Sequence, residues 1–142
     1  MKKRALISSC LLGVNCRYDG GNNGLPCEKL KELKEKYELI PVCPECYGGL
    51  TTPRTPSERR EGKVVSRLGE DVTEEFSRGA EAALYLAELF GAELAILKEN
   101  SPSCGSGTIY DGSFSGKLTE GDGVTAELLK KHGITVIGEK SI

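Results

Sequence analysis

Residues 72–97 read VTEEFSRGAEAALYLAELFGAELAIL, and this stretch decides the fold of the 142-residue chain. Gly91 is a typical helix stop. Before it, apolar residues recur at helical spacing, at Val72, Phe76, Ala80, Ala83, Ala87 and Phe90. After it, residues 93–97 are mostly apolar and fit a short buried strand. The stretch therefore predicts a helix over 72–90 that leads directly into a strand.

The same alternation extends along the rest of the chain. Residues 4–9, 38–42 and 134–137 have the composition of short strands. A helix is predicted over 26–36, with Pro26 in its first turn and Leu30, Leu33 and Tyr37 on its buried side. Another helix is predicted to begin at a capping Asp122 and to end at Gly133.

Strands that alternate with helices are joined by right-handed crossovers and form a mostly parallel sheet with both faces covered. The sequence thus predicts a single Rossmann-like α/β domain over residues 1–142, with about four strands and helices on both faces. Residues 50–68 contain two prolines and a run of charges, and we expect them to form an exposed excursion across the sheet edge.

Composition limits the classes of function. The 19 basic and 21 acidic residues nearly balance, so no cationic field favours nucleic acid or an anionic membrane. No stretch approaches the roughly 20 apolar residues of a membrane span, and the apolar run after the first four residues is too short for a signal peptide. We expect a cytoplasmic protein without a membrane partner. Its six cysteines are then better explained by metal binding or thiol chemistry than by disulfides.

Four of the cysteines follow predicted strands. Cys10 ends the first strand, Cys43 and Cys46 follow the second, and Cys104 follows the third. In open parallel sheets ligands bind beyond the carboxyl ends of the strands, where these loops meet. A single buried cysteine is usually a small packing residue. Several in Gly-, Pro- and Ser-rich loops instead predict a shared metal or redox site.

Three kinds of site fit these cysteines to different degrees. A structural zinc site needs four ligands, usually in two close pairs, and only Cys43 and Cys46 form such a pair. A thioredoxin-like dithiol would need a helix after Cys43, against which Gly48 and Gly49 argue. Thiolates on separate loops suit an iron–sulfur cluster, and three ligands would leave one iron open to substrate.

The motifs of the chain closely resemble those of the thiouracil desulfurase family over nearly the whole sequence. They are Cys10-Leu-Leu-Gly13, Arg17-Tyr-Asp-Gly20, Val42-Cys-Pro-Glu45, Gly48-Gly-Leu50, Pro53-Arg54, Lys98, Ser101-Pro-Ser-Cys-Gly105 and Ile109-Tyr-Asp-Gly-Ser-Phe-Ser-Gly116. The resemblance implies a [4Fe–4S] cluster on Cys10, Cys43 and Cys104 with one open iron. It also implies non-redox removal of sulfur from thiouracil, which gives uracil and hydrogen sulfide.

The resemblance also implies catalytic roles for Glu45 and Ser101, and we expect these two residues and Ser103 to contact the substrate. A soft thiocarbonyl sulfur suits a thiophilic open iron acting as a Lewis acid. Glu45 would then act as a general base for water, and Ser101 would position a proton or a substrate nitrogen. Without the resemblance, Glu45 could equally be a surface carboxylate and Ser101 a turn cap before Pro102.

Cys46 departs from the family pattern. If its thiolate bound the fourth iron, the cluster would be closed and electron transfer would replace substrate binding. The alternative function is therefore a non-catalytic iron–sulfur or zinc protein for electron transfer or assembly. Cys16 and Cys27 are interpreted as incidental or packing residues.

The substrate class can be predicted only in part. We expect a small thiolated pyrimidine, with nucleic acid disfavoured by the near-neutral charge. The sequence leaves open whether the pyrimidine is a free base, a nucleotide or part of a modified RNA. Arg17, Asp19 and Arg54 are expected to brace the site loops rather than to contact the pyrimidine.

Overall fold

The computed structural model describes residues 2–142 and contains a four-stranded parallel sheet with helices on both faces. Its strands are β1 (Lys3–Ser8), β2 (Tyr37–Val42), β5 (Leu94–Leu97) and β8 (Thr135–Gly138), in the order β2-β1-β5-β8. All three strand pairings are parallel, with β1 hydrogen-bonded to both β2 and β5. The predicted fold class is confirmed.

Each face of the sheet is covered by a different set of helices. Helix α1 (Cys27–Lys36) covers one face, where Leu33 packs in a cluster with Ile7 and Ile96. Helices α3 (Thr73–Phe90) and α4 (Val124–Lys131) cover the other face. The larger apolar cluster on that side combines residues of α3 and α4 with strand residues, among them Leu6, Val42, Ala83, Leu97 and Leu129.

The start of α4 differs from the prediction. Its N-cap is Gly123, and the Asp122 carboxylate instead accepts hydrogen bonds from the Gly107 amide at 2.7 Å and from Lys130 Nζ at 2.9 Å. A Cβ at position 123 would lie 2.4 Å from the carbonyl carbon of Ser103. Because the helix begins against this backbone, a glycine occupies the cap and the capping role predicted for Asp122 is wrong.

Residues 50–68 also differ from the prediction. They contain an antiparallel hairpin of β3 (Ser57–Arg60) and β4 (Lys63–Ser66), in which Glu58, Val64 and Ser66 are buried. A second hairpin consists of β6 (Thr108–Tyr110) and β7 (Leu118–Glu120). The expected exposed excursion is thus a partly buried element, because its alternate side chains pack inward.

The helices of residues 2–142 include none with both the length and the apolar character that crossing a membrane requires.

Candidate active site

Three cysteines lie at the carboxyl ends of three adjacent strands. Cys10 is in a 3-10 turn directly after β1, Cys43 directly follows β2, and Cys104 lies in the loop after β5. Since β1 lies between β2 and β5, the three loops emerge side by side. All three cysteines line one cavity of about 610 Å³. The structure therefore brings the predicted cluster ligands into a shared space.

The thiols of this group are removed from water to different degrees. Cys104 is 6% exposed, whereas Cys10 and Cys43 are half-buried. Burial, together with the nearby charges of Glu45 and Cys10, raises the pKa of Cys104 to about 12. Burial likewise raises the pKa values of Cys10 and Cys43. A cationic metal centre lowers thiol pKa values and would be needed to hold these groups as thiolates.

The segment after Cys43 forms a short helix, contrary to prediction. One helical turn, α2 (Pro44–Tyr47), begins there and packs against α3. The packing is backbone to backbone, because a Cβ at Gly79 would lie 1.8 Å from the Pro44 carbonyl oxygen and one at Gly48 would lie 1.8 Å from the Glu75 carbonyl oxygen. Gly48 thus permits the close approach of α2 to α3, and the expectation that it argues against a helix is wrong.

Cys16 lines the cavity, whereas Cys46 does not. The Cys46 sulfur is 3.4 Å from that of Cys43, but it also contacts the Thr52 hydroxyl at 3.4 Å, and Cys46 is not among the described residues that line the cavity. Cys16, interpreted from sequence as a packing residue, is buried and does line the cavity. Cys27 is exposed on α1.

Glu45 lies on α2 at the cavity wall and forms an ion pair with Arg54. The Arg54 Nε and Glu45 Oε1 atoms are 3.1 Å apart, and the two side chains are 7% and 20% exposed. Burial alone would lower the pKa of Arg54, but the charge of Glu45 and its hydrogen bond raise that pKa above its ordinary value. The arginine therefore stays charged and fixes one carboxylate oxygen.

Arg54 also ties together the loops around Glu45. Its guanidinium donates to the carbonyl oxygens of Cys16 at 2.8 Å and Thr51 at 3.2 Å, and to the Thr52 hydroxyl at 2.9 Å. This agrees with the bracing role predicted for Arg54. Arg17, in turn, pairs with Asp19 at 3.1 Å, which is the other part of the predicted charged network.

Ser101 lies in the loop after β5 and lines the same cavity. Its Oγ accepts hydrogen bonds from the backbone N–H groups of Ser103 and Cys104, both at 3.1 Å. It therefore caps the turn that carries Cys104, as the alternative interpretation of this serine predicted. A hydroxyl has two acceptor lone pairs and one donor, so the Ser101 O–H group stays available to donate.

Ser103 is the one predicted site residue that the structure does not bring to the cavity. Its side chain is fully buried, and its Oγ lies 2.8 Å from Thr125 Oγ1 on α4. Its carbonyl oxygen also accepts the Thr125 and Ala126 amides. The position joins the Cys104 loop to α4 and leaves no hydroxyl facing a substrate, so we do not retain Ser103 in the site.

The opposite wall of the cavity comes from the two hairpins, which sequence reasoning did not connect with the site. Glu58, Arg67, Tyr110 and Phe114 all line the cavity from this side. The only sequence signal was the motif over 109–116, to which no role had been given. Side chains from distant hairpins meet here only through tertiary packing.

The donor set fits a cluster better than a single ion. In the part of the chain from residue 2 onward, no three His, Cys, Asp or Glu side chains lie close enough together to hold one metal ion. A zinc ion needs four ligands at about 2.0–2.3 Å. A four-iron cluster is larger and is bound by thiolates that stand further apart, which matches thiols carried on separate loops.

Comparisons with known proteins agree with this geometry. The family model described as 2-thiouracil desulfurase matches residues 5–141. The uncharacterized protein YbbK of Bacillus subtilis (strain 168) is 46% identical over 147 residues, which covers 96% of each chain. A solved structure of the [4Fe-4S]-dependent thiouracil desulfidase TudS superimposes with a TM-score of 0.95 at 48% identity and covers 99% of this chain and 93% of that one.

The chain is an α/β protein with a thiol-lined cavity at the carboxyl ends of its parallel strands, and the solved relative that shares its fold is named as [4Fe-4S]-dependent. The family match extends over nearly the whole chain, and so does the similarity to both relatives. The chain belongs to the 2-thiouracil desulfurase family, which confirms the resemblance seen in the sequence.

Proposed function

We propose that this protein removes sulfur from a thiolated pyrimidine such as 2-thiouracil, with a [4Fe–4S] cluster held by Cys10, Cys43 and Cys104. The reaction consumes one water and gives uracil and hydrogen sulfide. Oxygen replaces sulfur on the ring carbon at the same oxidation level, so no electron donor or acceptor is needed.

One observation carries the proposal. The three cysteines on adjacent strand ends line the same cavity as Glu45 and Ser101, so three thiols, a carboxylate and a hydroxyl share one space. Support comes from the solved relative, which is named as a [4Fe-4S]-dependent enzyme and is nearly half identical in sequence. When bound, the cluster would supply a thiophilic iron without a protein ligand, which favours sulfur over oxygen as its partner.

Glu45 acts as the general base in this proposal. The ion pair with Arg54 engages Oε1, and Oε2 is then the carboxylate oxygen that takes a proton from the attacking water. Because Arg54 is itself held by the Cys16 and Thr51 carbonyls, the carboxylate cannot rotate freely. The same carboxyl group returns the proton to the departing sulfur. It then carries the second proton of the water in the same way, as the hydroxyl group on the ring carbon becomes the carbonyl of uracil, so that both hydrogens leave in hydrogen sulfide.

Ser101 acts as a fixed hydrogen-bond donor. Two backbone N–H groups occupy its acceptor sites, so its own O–H group donates toward the cavity. The acceptor that neutral 2-thiouracil offers to such a donor is its carbonyl oxygen, because both ring nitrogens carry hydrogen. Ser101 thereby orients the ring and stabilises negative charge that develops on it when water adds.

Anaerobic reconstitution with iron and sulfide, followed by incubation with 2-thiouracil, tests the function. We expect uracil and sulfide in equal amounts over many turnovers, without added reductant or oxidant. Protein that carries a full cluster but releases no sulfide from 2-thiouracil or other thiolated pyrimidines would contradict the proposal.

A second candidate function is supported by Cys16. This thiol lines the cavity, and a fourth thiolate on the cluster would leave no iron for substrate, as in an electron carrier. The variant Cys16→Ala separates the two functions. We expect it to retain both cluster and desulfurase activity, whereas loss of the cluster would favour the electron-transfer function.

A further inference from the structure

The loop between β6 and β7 covers part of the cavity that contains the cysteines. It has the sequence Asp111-Gly-Ser-Phe-Ser-Gly116, and Phe114 and Gly116 line the cavity. The Asp111 amide donates to the Lys117 carbonyl at 3.0 Å, which closes the base of the loop. Two aromatic rings of this hairpin line the cavity: Tyr110 on β6, and Phe114 in the loop.

A buried carboxylate from the other hairpin holds this loop. Glu58 on β3 is 8% exposed, and its Oε1 accepts hydrogen bonds from the backbone N–H groups of Gly112 at 2.9 Å and Phe114 at 3.1 Å. Burying a carboxylate is costly unless hydrogen bonds compensate it. Arg60 adds to the attachment, since its guanidinium donates to the Gly112 carbonyl.

The loop is held in a conformation that its sequence does not favour. Phe114 has a φ of 57°, in the left-handed region that a bulky residue rarely adopts. Gly112, with a φ of 93°, approaches so closely that a Cβ would lie 2.8 Å from the Arg59 carbonyl oxygen. Such strain persists only where surrounding contacts impose it, and it is concentrated at ligand clamps and active sites.

The Phe114 ring lies where it can contact a ligand in the cavity. Phe114 shares the cavity with Glu45 and Ser101, and the Arg67 guanidinium lies 5.7 Å from the centroid of its ring. Aromatic rings bind flat bases by stacking. The Arg67 guanidinium lies over one face of the Phe114 ring, so a base would stack on the opposite face. An aromatic wall of this kind fixes the plane of a ring, which Glu45 and Ser101 alone do not do.

The geometry points to Phe114 as the side chain against which the pyrimidine ring stacks, and to Glu58 as the positioning residue that holds Phe114 in place. The inference rests on the proposed desulfurase function and adds a specificity element to it. Phe114 contacts the ring face, whereas Glu58 acts only through the loop backbone.

Variants at both positions test the inference through the Michaelis constant and through direct binding. We expect Phe114→Ala to raise KM for 2-thiouracil, and the dissociation constant for uracil measured by calorimetry, by about tenfold. The value of kcat at saturation should change less than twofold, because the hydrolytic groups are untouched. Phe114→Tyr, which keeps the ring, should stay close to wild type.

Glu58 has its own signature. Glu58→Ala should raise KM to the same extent as Phe114→Ala, and the double variant should be no worse than either single variant, because both changes remove one interaction. Glu58→Gln retains Oε1 as an acceptor and should restore most of the affinity. If Glu58 were needed only for stability, its substitution would lower the unfolding temperature and the yield of active protein, but it would not raise KM at unchanged kcat.

Tyr85→Ala serves as the control, because this aromatic residue is exposed on α3 away from the cavity. Unchanged KM and uracil affinity in Phe114→Ala, with wild-type desulfuration intact, would overturn this inference alone. If wild-type protein carried a cluster but neither converted 2-thiouracil nor bound a pyrimidine, both the proposed function and the inference about Phe114 would be wrong. If it bound uracil without turnover, calorimetry on the variants would still decide the role of Phe114.

Discussion

The cavity has two walls that are built in different ways. The sheet wall consists of the loops that follow β2, β1 and β5, and it carries the cysteines with Glu45 and Ser101. The hairpin wall consists of β3 with β4 and β6 with β7, and it carries Glu58 and Phe114. The sheet wall is positioned by parallel strand pairing, whereas the hairpin wall is positioned by hydrogen bonds between side chains and loop backbone.

The two carboxylates of the cavity show what this difference means. Glu45 on the sheet wall is held by an arginine side chain through Oε1, which leaves Oε2 for the proposed proton transfer. Glu58 on the hairpin wall gives Oε1 to two backbone N–H groups and shapes a loop. In the proposed function the reactive groups thus lie on the sheet wall, and the aromatic surface proposed to contact the ring lies on the hairpin wall.

The largest loss of stability is expected from a substitution at the contact between α2 and α3, which supports the sheet wall. In Gly79→Ala the new methyl group meets the Pro44 carbonyl oxygen. The methyl group is fixed to the Cα atom of a helix and the oxygen to the backbone of α2, so neither can rotate away. We expect a loss of about 3 kcal/mol or more in the free energy of unfolding, and failure to incorporate the cluster because Cys43 is displaced. Urea titration and iron analysis measure the two effects.

Arg78→Ala on the same helix is the matched control, because Arg78 is exposed and its pair with Glu74 lies at the surface. It should unfold at nearly the wild-type urea concentration. Equal stability of the two variants would show that α2 does not depend on this close contact.

Removing the charge of Glu45 should stop the chemistry while leaving the sheet wall in place. Glu45→Gln keeps the shape and the contact with Arg54, but an amide cannot accept the proton of water. We expect kcat for 2-thiouracil to fall by about 10²–10⁴-fold, with cluster content unchanged. Glu38→Gln, on the exposed part of β2, should retain wild-type kcat. Retention of more than a tenth of the activity in Glu45→Gln would exclude Glu45 as the base.

A conservative substitution at Arg54 tests whether the orientation of the Glu45 carboxylate, as well as its charge, is needed for activity. Lysine keeps the positive charge but has a single ammonium group, so it cannot reach Glu45, the Cys16 carbonyl and Thr52 together. We expect Arg54→Lys to lower kcat about tenfold with little loss of cluster. Steady-state kinetics with iron analysis measure this, and wild-type kcat would show that charge alone is sufficient.

The smallest effect is expected at Cys46, whose thiol contacts Thr52. Cys46→Ala should retain cluster content and kcat within about twofold, as should the exposed control Cys27→Ala. Electron paramagnetic resonance of the reduced protein would show whether the cluster environment changes. Loss of the cluster in Cys46→Ala but not in Cys27→Ala would show that Cys46 is a ligand and that no iron is free to bind substrate.

Much of the sheet wall could be predicted from the sequence, because its signals are local. Helical spacing before Gly91 and apolar runs gave the helices and parallel strands within a few residues. The rule that ligands bind at strand carboxyl ends then placed Cys10, Cys43 and Cys104 together. The short helix α2 was missed, because it depends on Gly79, which lies more than thirty residues away.

The hairpin wall could not be predicted, because it depends on contacts between segments far apart in sequence. Nothing in the run of charges around Glu58 distinguishes the one carboxylate that turns inward from its exposed neighbours. Ser103 shows the opposite error, since it was expected to contact the substrate, yet its hydroxyl packs against Thr125 outside the cavity. Asp122 likewise resembles a helix cap but binds Gly107 and Lys130 instead.

The measurement that tests the central claim most directly is the iron and inorganic sulfide content of single cysteine variants after anaerobic reconstitution. The account predicts that Cys10→Ala, Cys43→Ala and Cys104→Ala each fail to retain a [4Fe–4S] cluster while their far-ultraviolet circular dichroism stays that of the wild type. A folded variant of any of these three cysteines that kept a full cluster would contradict the claim that loops from three strands hold one inorganic centre.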